Sequence, residues 1–188
     1  MPNFSFERTE LDNAYFIKCF SRMDNRGGFV KVFEKDLYIE HGIDFQLNET
    51  FLSVSSKNVI RGIHFQIKNP QAKLVYVPQG RVADVIVDLR INSKTYKKWQ
   101  IFDLNKNNGN AVFVPRGFGH GFVSLEDNTI MIYQCDGKYD DVTDTGIRFD
   151  DPDLGIEWPI EDLNNTIHSE RDLSLMSLKE YENNPMIL

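Results

Sequence analysis

Residues 73–90 read KLVYVPQGRVADVIVDLR. Two runs rich in Val, Ile, Leu and Tyr meet at Pro78-Gln79-Gly80. β-Branched and aromatic side chains suit the pleated surface of a strand, and proline and glycine this close together mark a turn. The stretch therefore predicts two strands joined by a tight connection. Working outward, KKWQIFDL (97–104), GNAVFVPRG (109–117), HGFVSL (120–125) and TIMIYQC (129–135) are further short apolar runs, several of them alternating with polar residues. Asn92-Ser93, the Asn-rich stretch 105–109 and Glu126-Asp127-Asn128 punctuate them as turns. Pro78 and Pro115 fall near strand ends, where a missing N–H is tolerated. Many short strands at even spacing predict an all-β barrel or double-sheet jelly roll. Helical text is confined to residues 34–40 and 174–183, residues 137–153 read as a loop, and residues 183–188 read as a loose end.

The 188 residues suit one domain, 1–188, and their 41% hydrophobic and 26% charged composition suffices for a buried core. The formal charge is -7 with no basic block, which argues against nucleic-acid and membrane-surface partners. A small phosphate-bearing ligand needs only a few local cations and remains open. Cys19 and Cys135 are too few for a disulfide framework and form no metal-type pair, so free thiols in a reducing compartment are expected. The first residues lack a basic head followed by an apolar run, and no apolar stretch has membrane-spanning length. A cytoplasmic protein is expected.

Three blocks hold the candidate chemistry: RGIHFQ (61–66) with QAK (71–73), PRGFGHGF (115–122), and Tyr133-Gln134-Cys135 with Tyr139. Strand alternation places Gly62, His64 and Gln66 on one face and Arg61, Ile63 and Phe65 on the other. A single strand histidine is commonly a satisfied core residue. Here Arg26, Arg61 and Lys73 lack carboxylates beside them in sequence, which suits an anionic ligand, and His120 repeats the pattern. A metal centre is not expected: His64 is followed by Phe65-Gln66 rather than by a second histidine, and His41 and His168 lie in the flanks. Asp84 and Asp88 share one strand face and either border a pocket or pair with arginines such as Arg90. The Asp150-Asp151 pair reads as solvated.

Taken in order and with their spacing, these blocks resemble the dTDP-4-dehydrorhamnose 3,5-epimerases. So do GRVADVIVDLR (80–90), DPDLGIEWP (151–159) and SERD (169–172), and the likeness runs over almost the whole chain. The resemblance implies a cupin jelly-roll barrel with short flanking helices, a homodimer sharing N-terminal strands within residues 1–50, and a C-terminal flank from about residue 160. It implies 3,5-epimerisation of a nucleotide-activated 4-keto-6-deoxyhexose, on the route to dTDP-rhamnose and polysaccharide, without metal or organic cofactor. By the same resemblance His64 is the general base, Asp172 the carboxylate that orients it, Tyr133 the acid on the opposite face of the sugar, and Lys73 the cation near the developing enolate. Arg26 and Arg61 match nucleotide-diphosphate contacts, His120 a substrate contact, and Tyr139 an aromatic stacking on base or sugar. Asp144 and Arg171 fall where the family has a ligand-binding Glu and Lys.

The chemistry suits those types. Removing a proton beside a ketone needs a base that works near neutral pH, and the resulting oxyanion needs a nearby cation or donor. The chain departs from the family pattern on the nucleotide side. Lys31 stands where a glutamate is usual and Lys138 where many members have a tyrosine; the family's Gln-Asp-Asn aligns with Glu49-Thr50-Phe51 without gaps, or with a segment using Gln46 and Asn48 in a shifted register. Glu49 and Lys31 are therefore candidates for reading a base other than thymine. Inversion of C3 or C5 alone, a different 4-keto sugar, and a non-catalytic sugar-nucleotide-binding cupin are the competing readings.

Overall fold

The computed structural model describes residues 4–186. Residues 1–3 and 187–188, which include part of the expected loose end, lie outside the described set. The elements are β1 (Ser5–Arg8), β2 (Tyr15–Lys18), β3 (Phe20–Asp24), β4 (Gly27–Lys31), α1 (Lys35–Glu40), β5 (Glu49–Ser55), β6 (Ile60–Gln66), β7 (Lys73–Gln79) and β8 (Arg81–Asp88). They continue as β9 (Trp99–Asn105), β10 (Ala111–Val114), β11 (Phe118–Ser124), β12 (Thr129–Cys135), β13 (Asp144–Gly146), α2 (Glu170–Leu173) and α3 (Leu178–Asn183). Two sheets face each other, in the orders β1-β2-β10-β7-β12-β5 and β13-β6-β11-β8-β9, while β3 and β4 form a separate hairpin. This is the expected jelly roll.

Apolar packing occurs at three levels. Between the sheets lie Val75, Ile86, Val112, Phe122 and Met131. The outer face of the five-stranded sheet packs Val85 and Val87 against Trp158, Leu178 and Tyr181 from the C-terminal segment. The outer face of the six-stranded sheet packs Ile17 and Leu74 against Tyr38 and Phe45 around α1. Strand β8 is thus covered on both faces, which is why 82–88 reads as a nearly unbroken apolar run interrupted only by Asp84 and ended by Asp88.

The flanks differ in detail from the sequence reading. The expected helix over 174–183 starts only at Leu178, because Ser177 caps it through a reciprocal Ser177–Glu180 capping box. The preceding residues are drawn into a bridge between Met176 and Ile147, and α2 forms ahead of them. The 137–153 loop contains β13, which pairs with β6. Asp151 is not solvated: its carboxylate is buried and accepts from the backbone N–H groups of Asp153, Leu154 and Leu178. Asp88 is also buried and pairs with Arg90 at 2.7 Å, one of the two arrangements the sequence left open.

Candidate active site

A cavity of about 260 Å³ opens between the sheets at one end of the sandwich. One wall carries Phe51 and Ser53 of β5, Lys73 of β7 and Tyr133 of β12; the other carries Arg61 and His64 of β6 and His120 of β11. The mouth is edged by Tyr139, Asp144 and Arg171. Eight sequence-predicted site residues therefore meet here. Asp172 lies directly behind His64, its Oδ1 2.6 Å from His64 Nε2 across 108 positions of sequence.

Arg61 shares the cavity with His64, contrary to simple alternation. In the β6–β11 ladder His64 faces His120 and Arg61 faces Phe122, so two residues of β6 oppose the single Gly121. This bulge turns Arg61 onto the His64 face. Glycine is required there: Gly62 has φ +124, and a Cβ on it would stand 2.5 Å from Gly121 Cα. The G-x-H and H-G pieces of the two motifs are thus halves of one backbone contact.

Asp172 is nearly buried. Burial works to raise its pKa, but the hydrogen bond and charge of His64, with help from Ser169 and Arg171, hold the carboxyl below its usual value. It stays ionised and fixes the ring, leaving Nδ1 of His64 as the other nitrogen. Opposite, Tyr133 is 8% exposed. Its ring stacks on Phe51 at 4.7 Å and 16°, meets the His120 ring edge-on at 5.8 Å, and its hydroxyl lies 3.2 Å from Ser53 Oγ. Burial pushes this phenol far above the ordinary tyrosine pKa, so it is protonated at neutral pH and ready to donate.

Burial lowers the Lys73 pKa, against the opposing pull of Cys135, Asp144 and Asp84. Arg61 donates to Ser55 Oγ at 3.3 Å, and neither Arg61 nor Lys73 forms an ion pair among the described residues. Two cations thus face the cavity without a committed carboxylate, while Arg171 is held by Asp144 at 2.6 Å and Asp144 also accepts from the Tyr139 hydroxyl.

Three candidates lie elsewhere. Arg26 sits at the exposed tip of the β3–β4 hairpin, paired with Asp24 at 2.7 Å, because the hairpin joins neither main sheet. Lys31, on the same hairpin, is paired with Glu34. Glu49 accepts from the backbone N–H of Tyr139 with both oxygens, at 3.1 and 3.0 Å, and so anchors the mouth loop rather than facing the cavity. Within the chain, then, Lys31 and Glu49 each have a partner, Glu34 and the Tyr139 backbone respectively. Cys135, which sequence placed near Tyr133, is fully buried and pushed up to about 11 by that burial, which removes it as a nucleophile at neutral pH.

Sequence reasoning missed the partner of His120. Asp84 Oδ1 lies 2.7 Å from His120 Nε2, and Asp84 is wholly buried with its Oδ2 unpartnered. A carboxylate inside the apolar run VADVIVD was the available signal, since a buried charge demands a partner. Phe51 and Ser53, the neighbours of Tyr133, were also missed; both follow only from the β5–β12 register, which sets Phe51 directly across from Tyr133.

Known proteins resemble the chain in sequence and in fold. The family model described as dTDP-4-dehydrorhamnose 3,5-epimerase matches residues 8–180. A dTDP-4-dehydrorhamnose 3,5-epimerase of Methanothermobacter thermautotrophicus is 41% identical over 100% of both chains. A dTDP-4-dehydrorhamnose 3-epimerase of Streptomyces niveus is 38% identical over 90% of this chain and 82% of its own. Among solved structures, the dTDP-6-deoxy-D-glucose-3,5-epimerase of Legionella pneumophila in complex with dTDP-4-keto-L-rhamnose superposes with a TM-score of 0.89, at 32% identity over 94% of each chain.

Proposed function

This chain belongs to the dTDP-4-dehydrorhamnose 3,5-epimerase family, and from that premise we propose that His64, Tyr133, Asp172 and Lys73 divide its chemistry among them. The protein is an isomerase, a 3,5-epimerase of a nucleotide-activated 4-keto-6-deoxyhexose of the dTDP-4-dehydro-6-deoxyglucose to dTDP-4-dehydrorhamnose type.

In the proposed reaction His64, held by Asp172, takes the proton from a carbon beside the C4 ketone. The C–H electron pair moves into an enolate, whose oxygen is met by the Lys73 ammonium. Tyr133 then gives its hydroxyl proton to the same carbon from the opposite face, leaving it inverted. His64 has gained a proton and Tyr133 has lost one, and both are reset through water at the open mouth. The second carbon is inverted the same way. These steps need only the four side chains. The observation that carries the reading is the placement of His64 and Tyr133 on opposing sheets across one cavity. Incubation with dTDP-4-keto-6-deoxyglucose in D2O tests it: deuterium is expected at C3 and C5 of an inverted product, and an absence of wash-in at either carbon would overturn it.

The Lys73 role carries a pH signature. Deprotonation with rising pH removes the ammonium, and burial has lowered its pKa. The kcat profile should therefore fall on the alkaline side below the ordinary lysine value of about 10.4. Tyr133, displaced upward, does not contribute in that range. Lys73→Arg keeps its charge and should move the limb upward. Superimposable limbs for wild type and variant would remove Lys73 from the oxyanion.

The chain is further proposed to act as a single domain, as a homodimer, in the cytoplasm, where Cys19 and Cys135 remain thiols. Among the described residues no helix is long and apolar enough to cross a membrane. The dimer is supported by two apolar surfaces that stand exposed among the described residues. The hairpin exposes Met23 and Phe29, and β5, the edge of its sheet, exposes Leu52 and Val54. An edge strand with outward apolar side chains is a template for another chain. A partner's hairpin laid along it would carry Arg26 toward this cavity as a diphosphate contact, with Arg61 and Arg171 binding from within and Tyr139 stacking at the mouth. The expected result for Leu52→Asp/Val54→Asp is a monomer by sedimentation, with KM raised about ten-fold, the scale of one lost charged hydrogen bond. A monomeric wild type, or a double variant that stays dimeric and fully active, would count against it.

A further inference from the structure

Phe51 is left without a role by the reaction as written, yet it lines the cavity. Its side chain is turned inward on β5, whereas those of Leu52 and Val54 point away from the cavity. Its neighbour is Tyr133, directly across the β5–β12 ladder and stacked on Phe51 at 4.7 Å. With His120 at the tyrosine's edge and Ser53 at its hydroxyl, Phe51 closes a three-sided clamp.

Building on the epimerase reading, we infer that Phe51 is a positioning residue that holds the Tyr133 phenol over the sugar, and so sets how often an enolate is inverted rather than returned to its starting configuration. The enolate has two possible proton donors. Return from His64 re-forms the original C–H bond; donation from Tyr133 forms the inverted one, with the phenol proton moving to carbon and the negative charge to the phenolic oxygen. A phenol free to swing away loses this competition, although proton abstraction by His64 is untouched.

The test follows wild type, Phe51→Leu, Phe51→Asn and Phe51→Tyr on dTDP-4-keto-6-deoxyglucose in D2O. NMR reads wash-in at C3 and C5 in both recovered substrate and inverted product. In the Leu and Asn variants total wash-in is expected to stay close to wild type, while the inverted share falls about ten-fold, the scale of a small misplacement of a reacting group. Phe51→Tyr keeps the stack and is expected to restore the wild-type share. An unchanged share in both Leu and Asn variants overturns the inference. So does a parallel fall of wash-in and inversion, or failure of Phe51→Tyr to restore the share, since these assign Phe51 to binding or folding. Wild type without any wash-in would instead sink the epimerase reading itself.

Discussion

Replacing His64 with alanine is expected to abolish deuterium incorporation at both C3 and C5 and to lower turnover by about 10²–10⁴-fold, the usual contribution of a positioned general base. Both positions should be lost together, because among the described residues His64 is the one cavity imidazole joined to Asp172; His120 is committed to buried Asp84. The variant also leaves the Asp172 carboxylate without its 2.6 Å partner in a nearly closed site. A stability cost of about 1–3 kcal/mol accompanies that loss. The melting temperature should be measured beside the rate, so that an unfolded variant is not read as an inactive one. Asp172→Asn offers a second handle: the fold and His64 remain, but the ring loses the carboxylate that orients it, and turnover should fall while substrate affinity changes little. A folded His64→Ala protein turning over at the wild-type rate would end the assignment of the base.

Tyr133→Phe should separate exchange from inversion. The substitution removes one oxygen and keeps the ring that stacks on Phe51 and meets His120. Its structural cost is limited to the 3.2 Å contact with Ser53, about 0.5–1.5 kcal/mol. His64 can still abstract and return a proton, so deuterium should accumulate in unconverted substrate. Inverted product should fall by about 10²–10⁴-fold, as expected for loss of a positioned acid. The two variants thus give opposite isotopic patterns: no label anywhere for His64→Ala, and label without inversion for Tyr133→Phe. Normal yields of inverted product from Tyr133→Phe would require another acid on the β12 wall.

The amount of the molecule legible in sequence tracks the range of the interactions involved. Strands β7, β8 and β12 stand almost where their apolar runs predict, since side-chain alternation and turn residues act over a few positions. The C-terminal helix was misjudged by four residues because tertiary pairing of Met176 with Ile147 overrides local helical preference. Among site residues, His64, Lys73, His120, Tyr133, Tyr139, Asp144, Arg171 and Arg61 meet at one cavity, whereas Arg26, Lys31 and Glu49 do not face it. Their placement depends on a hairpin detached from both sheets and on a loop contact 90 positions away, neither of which leaves a local trace.

By itself the sequence determined the β-rich architecture, its strand and turn positions, the residue types suited to enolate chemistry, and, through its ordered motifs, the family likeness. Tertiary structure brought Asp172 against His64 from 108 positions away, as the family likeness implied, and it alone decided that buried Asp84 belongs to His120, that a bulge brings Arg61 to the His64 face, and that Phe51 lies flat on Tyr133. The reason is physical: propensity and periodicity are properties of neighbouring residues, whereas register, bulges and sheet-to-sheet facing are set by which distant strands pair, and that choice is made by the whole chain at once.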